Sequence, residues 1–307
     1  MGDDNLNNKF IVLAPMSLSE KLGARFWLSM GWVFIVLGCA LFADYFPLPE
    51  YGHMDWENPT SPPGTPCEMP VRHANGQYLS VPSVHIFGTD TLGRDIFTRL
   101  IFGARVSLTI GLLTPLVGLI IGGILGMAAG FYRGKMEGFI MSVMDAILAF
   151  PGLVLLLLVV FHLGPSLKNL ILALGFLTIP AFTRVARANT LAFAKREFVM
   201  AARALGQNDL HILVQEILPN IMMPLLIYAL LVVSYMIVAE GTLGFLGLGV
   251  PPPMPSWGGM IADGKEVLDE AAHVSLIPAG IMFVTVLCFN IIGDAIRGLV
   301  DGRDGQL

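Results

Sequence analysis

Six stretches of this sequence are long and apolar enough to cross a bilayer, and they constrain the fold more than any other feature. A spanning helix needs about 20 mostly apolar residues, because it rises about 1.5 Å per residue through about 30 Å of hydrocarbon. The runs are Phe26–Phe46, Leu108–Gly130, Phe139–Leu163, Leu170–Phe182, Ile221–Phe245 and Val274–Ile292. The fourth is short and is expected to run on to about Val185. Composition agrees: of 307 residues, 55% are hydrophobic and 13% charged, where a soluble domain carries about 25% charge. A water-soluble fold of this length cannot hide so much apolar surface. The expected fold is an all-α membrane protein of about six transmembrane helices.

The basic residues orient the chain. With the N-terminus inside, the inner side holds Lys9, Lys21, Arg25, Arg133, Lys135, Arg184, Arg187, Lys195, Arg196, Arg203, Arg297 and Arg303. The outer side holds Arg72, Arg94, Arg99, Arg105, Lys168 and Lys265, six against twelve. That excess favours both termini in the cytoplasm. The organisation is then a cytoplasmic segment (1–25), a first span (26–46), an external segment (47–105), a core of five spans (106–299) enclosing a basic loop (184–220), and a cytoplasmic tail (300–307). Within the external segment, Pro47, Pro49, Pro59, Pro62, Pro63, Pro66, Pro70 and Pro82 exclude a long helix, so an ordered loop packed on the outer face is expected. The cluster Arg94–Arg105 has apolar and charged residues at helical spacing, which predicts an amphipathic helix lying on the outer surface before the second span.

Cys39, Cys67 and Cys288 show neither a disulfide framework nor metal spacing. Val36-Leu37-Gly38-Cys39 loosely matches a lipoprotein cleavage box, but it comes late, after an acidic N-terminus, and is read as part of an uncleaved first helix. The histidines are His53, His73, His85, His162, His211 and His273, and all but His211 fall on the outer side. No pair has HxxxH spacing, so they are read as scattered surface residues and no metal ligand is assigned. Trp56 and Trp257 are expected at the membrane interface.

Two features inside the spans stand out. Gly118, Gly122, Gly126 and Gly130 share one helix face and form a ridge for close helix packing, read as a static seam in preference to a sliding one. Charges in lipid are costly and often functional, which makes Asp145 and Glu240 candidates for the pore or its gate. Asp145 lies about two turns into the third span, where Arg184 or Arg187 is its expected partner. Glu240 lies near the outer end of the fifth, whereas Asp294 and Arg297 sit at the wet inner end of the last.

The basic segment Arg196–Asn220 is the most informative. Good helix formers run to Leu205 and stop at Gly206, which tolerates a left-handed turn. Asn208 or Asp209 then caps a second helix, and Pro219 stands where the membrane helix resumes. The result is helix, tight turn, helix, with apolar Leu205, Leu210, Ile212 and Leu213 around the turn. Such a shape suits docking in a partner's groove.

These residues resemble the coupling loop of permease subunits of binding-protein-dependent ABC importers, whose pattern is Glu-Ala-Ala, three residues, Gly, nine residues, Ile-x-Leu-Pro. Ala201, Ala202, Gly206, Leu218 and Pro219 match, while Met200 replaces the Glu and Glu216 the Ile. Glu197 opens a variant similar to the peptide branch. Gly88-Thr89-Asp90 with Gly93-Arg94-Asp95, Met144–Pro151, Leu246–Ile261 and Asn290–Arg297 resemble further blocks of the same permeases, in order. The resemblance runs from about Phe87 to Arg303 and points to the C-type permease of dipeptide, oligopeptide and nickel importers; Gly52–Ser83 lies outside it.

The resemblance implies a type I importer permease fold in the plasma membrane of a prokaryote. It implies pairing with a second homologous permease, two cytoplasmic ATPases and an external substrate-binding protein. Glu197, Ala201, Ala202, Gly206, Asp209, Leu210 and Pro219 would form the coupling surface. ATP and Mg would be bound by the partners and no cofactor by this non-catalytic chain. Its nearest approach to a phosphate-binding loop, Gly130–Lys135, lacks the GxxxxGK[ST] spacing. Di- or oligopeptides are the expected cargo, with nickel or another small solute as the alternative; no nucleic-acid role is implied. An ion-gradient transporter would have no use for the loop. A membrane protease would need HExxH or paired intramembrane aspartates, and the spans carry neither.

Overall fold

The computed structural model describes residues 18–72 and 78–304. The predicted cytoplasmic segment before Leu18, His73 and the end of the tail lie outside the described residues. Helix α1 (Leu18–Leu41) breaks its helical geometry at Gly23 and stops short of the predicted Phe46. Arg105 fixes that end: its Nε donates to the Ala40 carbonyl at 2.9 Å, and its guanidinium pairs with Asp44 at 3.0 Å.

The external segment contains an antiparallel hairpin, β1 (Thr65–Arg72) and β2 (Tyr78–His85), where a loop was expected. Pro66, Pro70 and Pro82 lie within it. A two-stranded ribbon has an unpaired edge on each strand, and edges are where proline is tolerated.

The second span is one helix of 37 residues, Ile96–Tyr132. It comprises α2 (Ile96–Val117), a π-helical turn (Gly118–Gly122) and α3 (Gly123–Tyr132). The predicted amphipathic surface helix is therefore the first turns of α2. Asp95 caps it, its Oδ2 accepting from the Thr98 N–H at 2.8 Å. Arg94 and Arg99 turn inward and are buried, because Asp90 and Asp263 satisfy them within the protein. They need no lipid surface.

The third run is bent. Helices α4 (Gly134–Ala149) and α5 (Gly152–Leu163) meet at 81°. Pro151 disfavours the helical conformation at Phe150, which is extended at φ −81°, ψ 132°. The fourth span, α6 (Leu167–Phe193), has 27 residues, far more than its apolar run. Ser166 caps it. Its polar C-terminal half is satisfied locally: Thr183 donates to the Ile179 carbonyl, and Arg184 and Arg187 reach carboxylates on α4.

After α7 (Glu197–Ala204) comes a second helix of 37 residues, Asp209–Phe245. It joins α8 (Asp209–His211), a π-helical turn (Ile212–Ile217) and α9 (Leu218–Phe245). Short α10 (Trp257–Asp263) and long α11 (His273–Asp304) follow. With the bent α4–α5 pair counted once, six spans are present among the described residues. Helix α9 contributes to both large apolar cores, one shared with α2, α5 and α6, the other with α1, α2, α10 and α11. Trp257, expected at the interface, is fully buried in the second core and donates to the Leu100 carbonyl at 3.1 Å. Trp56 is exposed.

The glycine ridge packs on α6. A Cβ at Gly122 would lie 2.6 Å from the Ile179 carbonyl oxygen, and one at Gly130 would lie 2.8 Å from Thr190 Cβ. Gly118 and Gly126 are equally tight against Thr178 and Thr183. In lipid, where apolar burial supplies little driving force between helices, such backbone contact holds a bundle together. Gly126→Leu is expected to cost about 3 kcal/mol or more by overpacking. It should abolish the monodisperse detergent-solubilised peak in size-exclusion chromatography, whereas Gly138→Ala, with nothing within 4 Å, should leave it unchanged.

Candidate functional site

The segment between α6 and α9 is a short helix, a tight turn and the start of a second helix. Helix α7 turns Val199 and Ala202 inward onto a core containing Ile212, Leu213 and Ile217. Arg203 lies over the Phe131 ring at 4.9 Å, a cation–π contact. The helix ends at Gly206, φ +79°. There the Gly206 N–H bonds the Arg203 carbonyl at 3.0 Å, and the Gln207 N–H bonds the Ala202 carbonyl at 3.1 Å. This crossed pair is the Schellman arrangement, and it needs a left-handed residue at that position. Asn208 caps the next helix, accepting from the His211 N–H at 2.8 Å. The predicted second helix does not stop before the membrane: it continues into α9. Pro219 lacks the N–H that the Gln215 carbonyl would accept, and the helix widens into the π turn at Ile212–Ile217 just before it.

Glu197, Ala201, Gly206, Asp209, Leu210 and Pro219 are exposed, and Ala202 is the buried anchor. Leu205 and Leu210 are 81% and 70% exposed. The turn thus carries two uncovered apolar side chains at its tip.

Asp145 meets its predicted partner, with its Oδ1 2.6 Å from Arg184 Nη2. Arg187 pairs with Glu137 instead. Glu240 is 0% exposed. Its Oε2 accepts from Ser107 Oγ at 2.9 Å, and Ser107 Oγ accepts from the Trp257 N–H at 3.1 Å. Glu240 thus ties α9 to α2 and α10 inside the bundle. Gly258 and Gly241 touch backbone to backbone beside it.

The pattern described as "Binding-protein-dependent transport system inner membrane component" matches residues 118–303. The chain belongs to this family. Among relatives of this permease, a glutathione transport system permease protein of Pectobacterium atrosepticum is 40% identical over 221 residues, 72% of this chain and 73% of that protein. A dipeptide transport system permease protein of Alkalihalophilus pseudofirmus is 40% identical over 226 residues, 73% of this chain and 74% of that protein. A chain of the MetNI methionine ABC transporter, solved in inward-facing conformations, shares the fold. The TM-score is 0.55 at 18% identity, covering 65% of this chain and 95% of that one. The permease therefore has the importer-permease fold its sequence blocks resemble.

One polar assembly escaped the sequence reading. His85 at the end of β2 is buried, with Nδ1 2.9 Å from Asp95 Oδ1 and Nε2 3.4 Å from Asp55 Oδ2. It joins the hairpin to the cap of α2. Burial alone would lower its pKa, but hydrogen bonds and charge from Asp95 and Asp55 outweigh that and hold it above the ordinary 6.5. The fold therefore favours protonated His85. Its stabilisation is fully present below about pH 6.5 and is lost as pH rises through the raised native value. Limited proteolysis of the 55–95 segment in the purified permease should accelerate as pH is raised through that window. His85→Asn should remove the pH dependence.

Proposed function

We propose that the permease forms half of the translocation pore of an ATP-driven importer of di- or oligopeptides, and that the Gly206 projection seats in a cytoplasmic ATPase. The supporting observation is the projection itself. It is anchored by Val199 and Ala202 and rigid through its crossed hydrogen bonds, yet its tip leaves Leu205 and Leu210 uncovered. A loop serving only to set topology needs none of these. Glu197, Ala201, Gly206, Asp209 and Leu210 form the contact surface, and Pro219 marks where the helix re-enters the membrane.

In this reading both termini are cytoplasmic, and the hairpin segment faces an external binding protein. A second homologous permease completes the pore. ATP and Mg act on the partner subunits, so this chain is non-catalytic. Closure of the ATPases pushes the projection, and the rigid helix Asp209–Phe245 carries that push into the bundle. The peptide assignment follows the relatives that carry peptide names.

A side chain at Gly206 meets no steric obstacle, since nothing lies within 4 Å. Only the backbone conformation restricts it, at about 1–2 kcal/mol for an L-residue. Gly206→Arg is therefore expected to leave the permease in the membrane while uncoupling uptake from ATP hydrolysis. Gly206→Asn, which tolerates the left-handed region, should retain most coupling. Uptake and ATPase assays of the reconstituted complex check both, and normal uptake with Gly206→Arg would remove the coupling role.

A further inference from the structure

The Asp145–Arg184 pair is exposed where a lipid-facing charge is costly. Asp145 lies eleven residues beyond the start of α4 at Gly134, about 16 Å along the helix, and Arg184 lies nine before the end of α6 at Phe193, about 14 Å. Both are thus about half the hydrocarbon thickness from the turns that end their helices. Yet Asp145 is 62% exposed and Arg184 50%. Intramembrane charges of this kind face water or a partner. An open groove of 550 Å³ at the α4–α5 bend is walled by Leu148, Pro151, Leu177, Tyr235 and Thr242 among others, and the pair lies outside its walls, further along the same two helices. Leu148 is one turn from Asp145 on α4, and Leu177 is two turns from Arg184 on α6, so the pair and the groove share a face.

We infer that the groove and the Asp145–Arg184 pair form a transit site for a zwitterionic solute of the peptide class. The ammonium group passes to Asp145, the carboxylate to Arg184, and the apolar side chains lie along Leu148 and Leu177. Charge complementarity argues for this occupant. The groove carries hydroxyls from Tyr235 and Thr242 and no charged side chain. The two charges a zwitterion needs stand together one to two helical turns beyond its walls. An exposed ion pair is held weakly against water, so each partner is available to a substrate charge. An apolar lipid tail or the apolar face of a second subunit would strip water from the pair and offer neither charge a new partner.

This inference rests on the importer reading, but its test does not require transport. Leu148→Cys is introduced into the permease, and the intact complex in inside-out vesicles is treated with impermeant anionic and cationic methanethiosulfonates. Labelling is counted above that of the parent chain. The cysteine should react with both reagents. Dialanine above its dissociation constant should slow labelling about threefold or more, and N-acetylalaninamide, which has no charged termini, should not. Protection should vanish in Asp145→Asn/Arg184→Gln and persist in Asp145→Glu, which keeps the charge and controls for assembly. Absence of labelling would put this face against lipid or another subunit and overturn the site. Equal protection by both compounds, protection by neither, or protection surviving loss of the pair would overturn it too. If the doubly neutral variant fails to assemble, the two compounds compared on Leu148→Cys alone decide. Loss of ATPase partners from the purified complex would instead count against the importer reading, independently of the labelling result.

Discussion

Backbone contact of the second span with α6, at Gly122 of the π turn and at Gly126 and Gly130 of α3, is the interaction on which the inner half of the bundle depends. Of the large side chains, the fully buried Phe182 of α6 lies against Gly118 and Gly122. Removing the Cβ atoms lets the two main chains approach, and this fixes the C-terminal half of α6. That half carries Thr183, Arg184, Arg187 and Thr190, a stretch too polar to hold its place in lipid by hydropathy alone. Once it is fixed, Arg184 and Arg187 meet Asp145 and Glu137 on α4, and α7 leaves α6 in the direction that lets Val199 and Ala202 pack on the core. The projecting turn at Gly206 is placed by a seam several turns away.

The outer half is organised by charge. Arg94 and Arg99 share Asp263 of α10, Arg94 also holds Asp90, and Arg105 closes the end of α1 with Asp44. These three arginines made up half of the basic residues counted outside. The same pairing connects the external segment, α2 and α10. Glu240, Ser107 and the Trp257 N–H extend the connection inward to α9.

Local chemistry was legible in the sequence and long-range pairing was not. Gly206 and Asn208 declared their turn because left-handed and capping preferences are properties of single residues. Asp145 pointed to Arg184 or Arg187, and the structure pairs it with Arg184 while Glu137 takes Arg187. Hydropathy found the spans but ran straight through the Phe150–Pro151 bend, because apolar content does not register a lost hydrogen-bond donor; the proline itself was the available signal. It undercounted α6, whose polar end is paid for by tertiary contacts. The hairpin was hidden by its prolines. The His85 assembly was hidden by separation: its partners lie 30 residues before it and 10 after it.

The π turns at Gly118–Gly122 and Ile212–Ile217 sit in the two longest spans, one before α6 in the chain and one after it. Each amounts to one extra residue in an otherwise continuous α-helix, and one residue is a rotation of about 100°. The turns are phase shifts: they separate the angular setting of the cytoplasmic end from that of the membrane segment without breaking the rod. Each end of such a helix keeps the face that its own neighbours require.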